Sequence, residues 1–260
     1  MGFKYLSDHQ LALFQQQGFL VLRNVLNKEE VNTIKDEFEK EWLASITDGT
    51  VKQREKERLS SLYPNKFHVH KKSSVINKMM TSGRIIKIVE DILGEEALIV
   101  SSTAFYKTPG TGAMQPHQDE YGFGAGKSSC AIWVGLEEIN EENGGLYFIP
   151  ESHTLELVNV PTDLIERDSL PDNFKIVDID IAAGDAIIIH PFVIHGSKKN
   201  SSLYKFRHVL FGFYAGASVQ EIFENNEELM DKNGQYVKKA KNLKHMKKRI
   251  RIDHQPFWGV

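Results

Sequence analysis

A chain of 260 residues, with 41% hydrophobic and 26% charged residues, has the balance of an ordinary globular protein and the length to bury a substantial core. Its formal charge of −3 gives no reason to expect nucleic acid or an anionic surface as the main partner. Cys130 is the only cysteine, so an intrachain disulfide is excluded and a reducing compartment is expected. No apolar run approaches the roughly 20 residues that span a bilayer, and the start of the chain lacks the basic-then-apolar pattern of a signal peptide. Met1-Gly2 opens like a myristoylation site, but Leu6 stands where Ser or Thr is wanted. Cytoplasm is the expected location.

In chain order, Ser7 with Gln10 has the form of a capping box. It opens a short helix with Leu11, Leu13 and Phe14 on one stripe, ending near Gly18. Phe19-Leu20-Val21-Leu22 reads as a buried strand. Asn27 and Glu30 repeat the cap before a longer helix to about Leu43, with Val31, Ile34, Phe38 and Trp42 at helical spacing. A polar stretch from Thr47 to Arg58 reads as a loop, and Ser74 to Leu93 as one amphipathic segment stopped by Gly94. From Ala97 onward, short β-rich runs alternate with turn residues: Leu98–Phe105, Cys130–Leu136, Leu146–Ile149, Phe174–Ile179, Asp185–His190 and Phe206–Phe213. Strands so spaced, without intervening helices, predict a sandwich or barrel. The expected organisation is a single domain over 1–260: a helical part about 1–95, a β core about 96–216, and a basic helical extension about 217–260. In that extension Lys238, Lys239, Lys241, Lys244, Lys247, Lys248, Arg249 and Arg251 crowd together, interleaved with Ala240, Leu243, Met246 and Ile250. A surface helix with a solvated face is the plain interpretation; a positively charged lid or docking surface for an anionic substrate is the alternative.

His117-Gln118-Asp119 is the most informative short motif. On an extended strand, residues two apart point to the same face. A later strand carrying His195 would then close a patch of two imidazoles and one carboxylate, the arrangement that leaves coordination positions open in non-haem Fe(II) oxygenases. His70, His153, His190 and His208 compete for the third place, and zinc also accepts such ligands. The residues downstream of His195 favour it over these. Arg207, in the extended run Tyr204–Leu210, can grip a dicarboxylate through a bidentate fork that lysine cannot copy; a plain surface arginine in a strand is the alternative.

The run Gly184-Asp185-Ala186-Ile187-Ile188-Ile189-His190-Pro191-Phe192-Val193-Ile194-His195-Gly196-Ser197, with Asn200 and Phe206-Arg207 beyond it, closely resembles the phytanoyl-CoA dioxygenase family. So do Pro116-His117-Gln118-Asp119, Asn143-Gly144-Gly145-Leu146 leading into Ile149-Pro150-Glu151-Ser152-His153, and Gly18-Phe19-Leu20-Val21-Leu22 after a helix. The likeness runs over about residues 5–215 in family order and leaves out the last 45 or so.

The resemblance implies an α+β, mainly β fold: a double-stranded β-helix (jelly-roll) core with N-terminal helices packed on one sheet. It implies an Fe(II)- and 2-oxoglutarate-dependent dioxygenase that uses O2, releases succinate and carbon dioxide, and hydroxylates an unactivated C–H bond of a small molecule. Carried over by position, His117, Asp119 and His195 match the iron ligands, Arg207 the group that binds the far carboxylate of 2-oxoglutarate, and Ser197 a supporting hydroxyl. Lys107, Gln115 and Trp133 fall near positions that line the co-substrate pocket. Halogenating relatives replace the acid with a small residue, so Asp119 argues against halogenation. For the substrate, residues adjoining the ligand segments are candidates: His68, His70, Phe105, Tyr121, Phe123, Phe192 and Tyr214. Tyr121 and Phe123 stand in a glycine-rich loop after Asp119, a candidate lid. The basic tail leans toward an anionic substrate. Desaturation, epimerisation or ring formation on a natural product are alternative outcomes of the same fold, as is a non-catalytic jelly-roll binding or sensor module. Monomer and homodimer both stay open.

Overall fold

The computed structural model describes residues 4–56, 59–155, 157, 175–223 and 228–241. The Ser7 hydroxyl accepts from the Gln10 backbone while the Gln10 side chain accepts from the Ser7 backbone, and this reciprocal cap starts α1 (Asp8–Gln17). Gly18, left-handed at φ 81°, ends it and turns the chain into β1 (Phe19–Leu22). Asn27 and Glu30 cap α2 (Lys28–Thr47) in the same way; it runs about a turn beyond the expected end. After β2 (Lys66–Phe67) and α3 (Val69–Lys72), the segment expected as one amphipathic stretch divides into α4 (Ser74–Met80) and α5 (Gly83–Leu93). The break has a physical cause: the Ser82 hydroxyl accepts from the Ile85 backbone and starts a new helix.

Three strands and a single helical turn build the next section: β3 (Ala97–Lys107), β4 (Met114–His117), α6 (Glu120–Phe123) and β5 (Ser129–Gly135). Then come β6 (Leu146–Phe148), β7 (Val177–Ile179), β8 (Ala186–Ile189), β9 (His195–Ser197) and β10 (Arg207–Gly216). The larger sheet runs β1-β8-β5-β10-β3, continued by β12 (Glu228–Met230) and β13 (Tyr236–Lys238), with β2 also on β3; the smaller runs β4-β9-β6-β7. β11 (Glu221–Ile222) and β14 (Ala240–Lys241) form a two-stranded parallel pair. This is the double-stranded β-helix architecture expected. The described parts of the basic extension, 217–223 and 228–241, hold short strands rather than the expected helix, because their residues pair onto the edge of the larger sheet and onto one another. Residues 242–260, which carry the rest of the basic cluster, and Phe174 lie outside the described residues.

Alternation along the strands sorts the core into two layers. Leu20, Leu22, Ile132, Ile188, Leu210 and Tyr214 face the helices, where Ile34, Phe38, Ile76, Met80 and Ile88 meet them. Phe19, Trp133, Ile187, Ile189, Phe211 and Phe213 face the smaller sheet and pack on Leu146 and Phe148. Strand β8, an unbroken Ala-Ile-Ile-Ile run buried on both faces, is the shared spine of the two layers. The chemistry sits on the second layer, between the sheets.

One buried acid locks the first strand onto that spine. Asp185 accepts from Arg23 Nη1 at 2.7 Å, from the Asn24 backbone at 2.8 Å and from the Ala182 backbone at 2.9 Å. The preceding Gly184 (φ 88°) admits no side chain, since a Cβ would lie 2.2 Å from the Leu26 carbonyl. Burial raises the Asp185 carboxyl, but these donors outweigh it and hold the group below its ordinary value. A depressed carboxylate stabilises the fold above its unfolded pKa of about 3.9, and the effect is lost as pH falls through the lower folded value. Asp185→Ala is therefore expected to cost about 1–3 kcal/mol in urea unfolding at pH 7. The difference from wild type should shrink steadily below about pH 4.

Candidate active site

Strands β4 and β9 are antiparallel neighbours, and their register sets His117 directly opposite His195. Each imidazole is aimed by a backbone carbonyl two residues earlier in the chain. His117 Nδ1 donates to the Gln115 carbonyl at 2.9 Å, and His195 Nδ1 donates to the Val193 carbonyl at 3.1 Å. A carbonyl can only accept, so both rings are held as the Nδ1–H tautomer with a deprotonated Nε2. Those Nε2 atoms stand 3.7 Å (His117) and 3.9 Å (His195) from Asp119 Oδ1. The three residues' ligand atoms all lie within 4.8 Å of one another.

The expected strand spacing is not how Asp119 reaches the cluster. β4 ends at His117, and Asp119 has helical backbone angles (φ −60°, ψ −28°) at the head of α6. The turn from strand to helix, rather than the two-residue period, brings the acid beside the imidazoles. Its flanking residues fix that turn. Gln118 Nε2 donates to the Phe192 carbonyl at 2.7 Å, and the Glu120 backbone donates to the Pro191 carbonyl at 2.9 Å. Both anchors fall on the segment that leads into His195. Gln118 and Glu120 are fully buried and were not singled out from the sequence as functional. Their one visible signal is position, on either side of the acid.

The electrostatics of the cluster call for a cation. Burial, then the neighbouring His195, hold His117 down to about 4, and burial holds His195 to about 4 as well. Burial pushes the Asp119 carboxyl up to about 6. Asp119 Oδ2 is buried with no hydrogen-bond partner. Two neutral imidazoles and an acid with an unused oxygen form a donor set suited to a divalent metal.

A second group of opposite sign lies nearby on the larger sheet. Arg207 and Lys107 are cross-strand partners, buried side by side. Neither pairs with a carboxylate among the described residues. Arg207 Nη1 donates to the Gly144 carbonyl at 2.8 Å, its guanidinium lies 5.4 Å from the Trp133 ring, and its Nε has no partner. Lys107 Nζ donates to Ser197 Oγ at 2.9 Å. Burial, then Arg207, bring Lys107 down to about 7, and burial brings Arg207 to about 10. Like charges opposed on one sheet face repel, and an anion seated between them would relieve both. Gly144 is required for this arrangement: at φ 92°, a Cβ there would lie 2.8 Å from Lys107 Cδ.

Ser197 and Trp133 thus touch the basic pair, through Lys107 and Arg207 respectively, whereas the Gln115 side chain is exposed and its backbone carbonyl makes the contact to His117. Phe105 and Phe123 face the barrel, Phe105 edge-on to Phe211 at 5.6 Å and Phe123 stacked on Phe213 at 3.8 Å. Tyr121 is half-buried in α6, and Phe192 is buried in the segment before His195. His70 and Tyr214 are corrections. His70 Nδ1 lies 2.6 Å from Ser102 Oγ, and Ser102 is the strand partner of Gly212, whose missing side chain would meet Met80. That is the helical face, the opposite side of the sheet from the cluster. The Tyr214 hydroxyl donates to the Met80 carbonyl on the same side. His68 accompanies His70, their rings 6.2 Å apart. Ser101 and Thr103, missed in the sequence, are buried polar groups on the barrel face, opposite Phe213 and Phe211. The competing histidines have structural roles: His190 packs against Phe14 and His153, and His208 pairs with Glu137.

Comparison with known proteins agrees with this geometry. The family model described as phytanoyl-CoA dioxygenase (PhyH) matches residues 14–209. Phytanoyl-CoA dioxygenase 1 of Oryza sativa subsp. japonica is 24% identical over 243 residues, covering 76% of this chain and 85% of the relative. Methylphosphonate hydroxylase of Gimesia maris is 25% identical over 209 residues, covering 76% of each. Among solved structures, EctD from S. alaskensis with bound Fe superposes with a TM-score of 0.73 at 23% identity, over 85% of this chain and 80% of that one.

Removing the acid tests the cluster directly. Asp119→Ala is expected to weaken Mn(II) binding, measured by equilibrium dialysis, by more than about 100-fold, beyond the effect usual for an outer hydrogen-bond partner.

Proposed function

We propose, from the membership of this chain in the phytanoyl-CoA dioxygenase family, to which it belongs, that it hydroxylates a small molecule at an unactivated C–H bond. It is a non-haem dioxygenase dependent on Fe(II) and 2-oxoglutarate. The observation that carries the reading is the pairing of two buried groups of opposite character: an acid-and-imidazole cluster with an unused carboxylate oxygen, and a guanidinium with an unused donor. In this reading His117, Asp119 and His195 hold the iron, and Arg207 holds the far carboxylate of 2-oxoglutarate. Ferrous iron, when bound, supplies the activation of O2 that couples decarboxylation of 2-oxoglutarate, to succinate and carbon dioxide, with oxidation of the C–H bond.

The protein's own residues do the rest by position and exclusion. The Gln115 and Val193 carbonyls keep Nε2 of each imidazole deprotonated and pointing inward. Gly144 and Trp133 hold the Arg207 guanidinium in one orientation, leaving its remaining donors for a carboxylate. Lys107, steered by Ser197, adds a second positive charge to the same end. The aromatic groups Phe105, Tyr121, Phe123 and Phe192 bound the substrate side and keep water from it. The relative named methylphosphonate hydroxylase supports a small anionic substrate, and such a substrate agrees with the basic cluster beyond residue 237. No helix among the described residues is long and apolar enough to cross a membrane. The lone buried thiol of Cys130 suits a reducing, cytoplasmic setting.

Arg207→Ala should raise the 2-oxoglutarate concentration needed for half-maximal succinate release by about 30-fold or more, since it strips one partner from a buried charge pair. Arg207→Lys should recover only part of this, because an ammonium cannot supply the fork. A metabolite screen scored by succinate release should find a substrate whose product gains the mass of one oxygen; an unchanged 2-oxoglutarate requirement in Arg207→Ala would remove that residue from the reading.

A further inference from the structure

Asp119 leads at once into a segment closed by one buried carboxylate. Glu120 is 2% exposed, and no cationic side chain pairs with it among the described residues. A carboxylate in that position is costly unless donors surround it. The donors are backbone groups of its own loop: Gly126 N–H lies 3.0 and 2.9 Å from the two oxygens, and the Ala125 backbone also donates. The side chain thereby joins the first residue of α6 to the far end of the glycine-rich turn, tying 120–126 into a ring. At its other end the same residue's N–H donates to the Pro191 carbonyl, on the lead-in to His195. Inside this ring lie Tyr121 and Phe123, the latter stacked on Phe213 at 9° between ring planes and 6.2 Å from Phe211. Those two phenylalanines stand across the sheet from Ser101 and Thr103, the buried polar pair of the barrel face.

We infer that Glu120 is a positioning residue, holding 120–126 closed so that Tyr121 and Phe123 cover the substrate side of the His117–Asp119–His195 cluster. It touches neither substrate nor co-substrate and acts through the loop it ties. The word "substrate" rests on the oxygenase reading; the tie itself does not. Without the tie, the aromatic cover opens to water, and 2-oxoglutarate is more often oxidised by O2 without a primary substrate, a turnover in which an added reductant such as ascorbate supplies the two electrons that the C–H bond otherwise gives.

The test uses the full chain with Glu120→Ala and the milder Glu120→Gln, whose amide oxygen still accepts one N–H. Amide hydrogen exchange at Ala125 and Gly126 should speed up by about 10-fold in Glu120→Ala and by less in Glu120→Gln, with β10 unchanged. With ascorbate supplied as that reductant, succinate released from 2-oxoglutarate and O2 in the absence of a primary substrate should rise about threefold or more, with the affinity for 2-oxoglutarate unchanged. Unchanged exchange at both amides, or equal acceleration in β10, would overturn the tie. Faster exchange with unchanged succinate release would overturn the covering role. A wild-type protein that releases no succinate at all would instead sink the oxygenase reading, leaving the exchange result to stand by itself.

Discussion

Everything in the site depends on two backbone carbonyls, those of Gln115 and Val193. Each accepts from the imidazole two residues further on, and β-pairing brings the two imidazoles to 4.4 Å between ring centres, tilted by 48°, across β4 and β9. Tautomer, ring orientation and separation are thus consequences of strand register, not of side-chain choice alone. The acid reaches them by a different route, a turn into α6 secured by its own neighbours. Gln118 and Glu120 both reach the 191–192 carbonyls, so the acid and the second histidine share one rigid support. A change in that support would move all three groups together.

The barrel separates charge along its length. At one place an acid is buried with an unused oxygen; at another, a lysine and an arginine lie buried together with no carboxylate paired to either among the described residues. Each group alone would weigh against folding. Together they give the site one place suited to a cation and another suited to an anion. The aromatic groups Phe105 and Phe123 on the same layer add apolar surface rather than charge, packed on Phe211 and Phe213.

Much of this was legible in the sequence, for identifiable reasons. The capping boxes at Ser7 and Asn27 and the Ile run of β8 depend on local chemistry, which a linear reading captures. The grouping of His117, Asp119 and His195 was readable because residue type and order survive where spacing in space is unknown. What escaped was set by tertiary geometry. His70 and Tyr214 look as suitable as Phe105, yet strand alternation turns Tyr214 to the helical face, and α3 carries His70 on that same side. The Asp119 backbone is helical where the two-residue spacing suggested a strand, because Gln118 and Glu120 bind a distant segment. Lys238 and Lys241 lie in strands because β12 and β11 were there to pair with them.

The most direct measurement is an anaerobic titration of the protein with Fe(II), in the presence and absence of 2-oxoglutarate, read by visible absorption. The account predicts a weak charge-transfer band that appears only when both are present, saturates at one iron per chain, and is lost in Asp119→Ala. Absence of any band in the wild-type protein, or its survival without the carboxylate, would contradict a ferrous centre built on these three side chains.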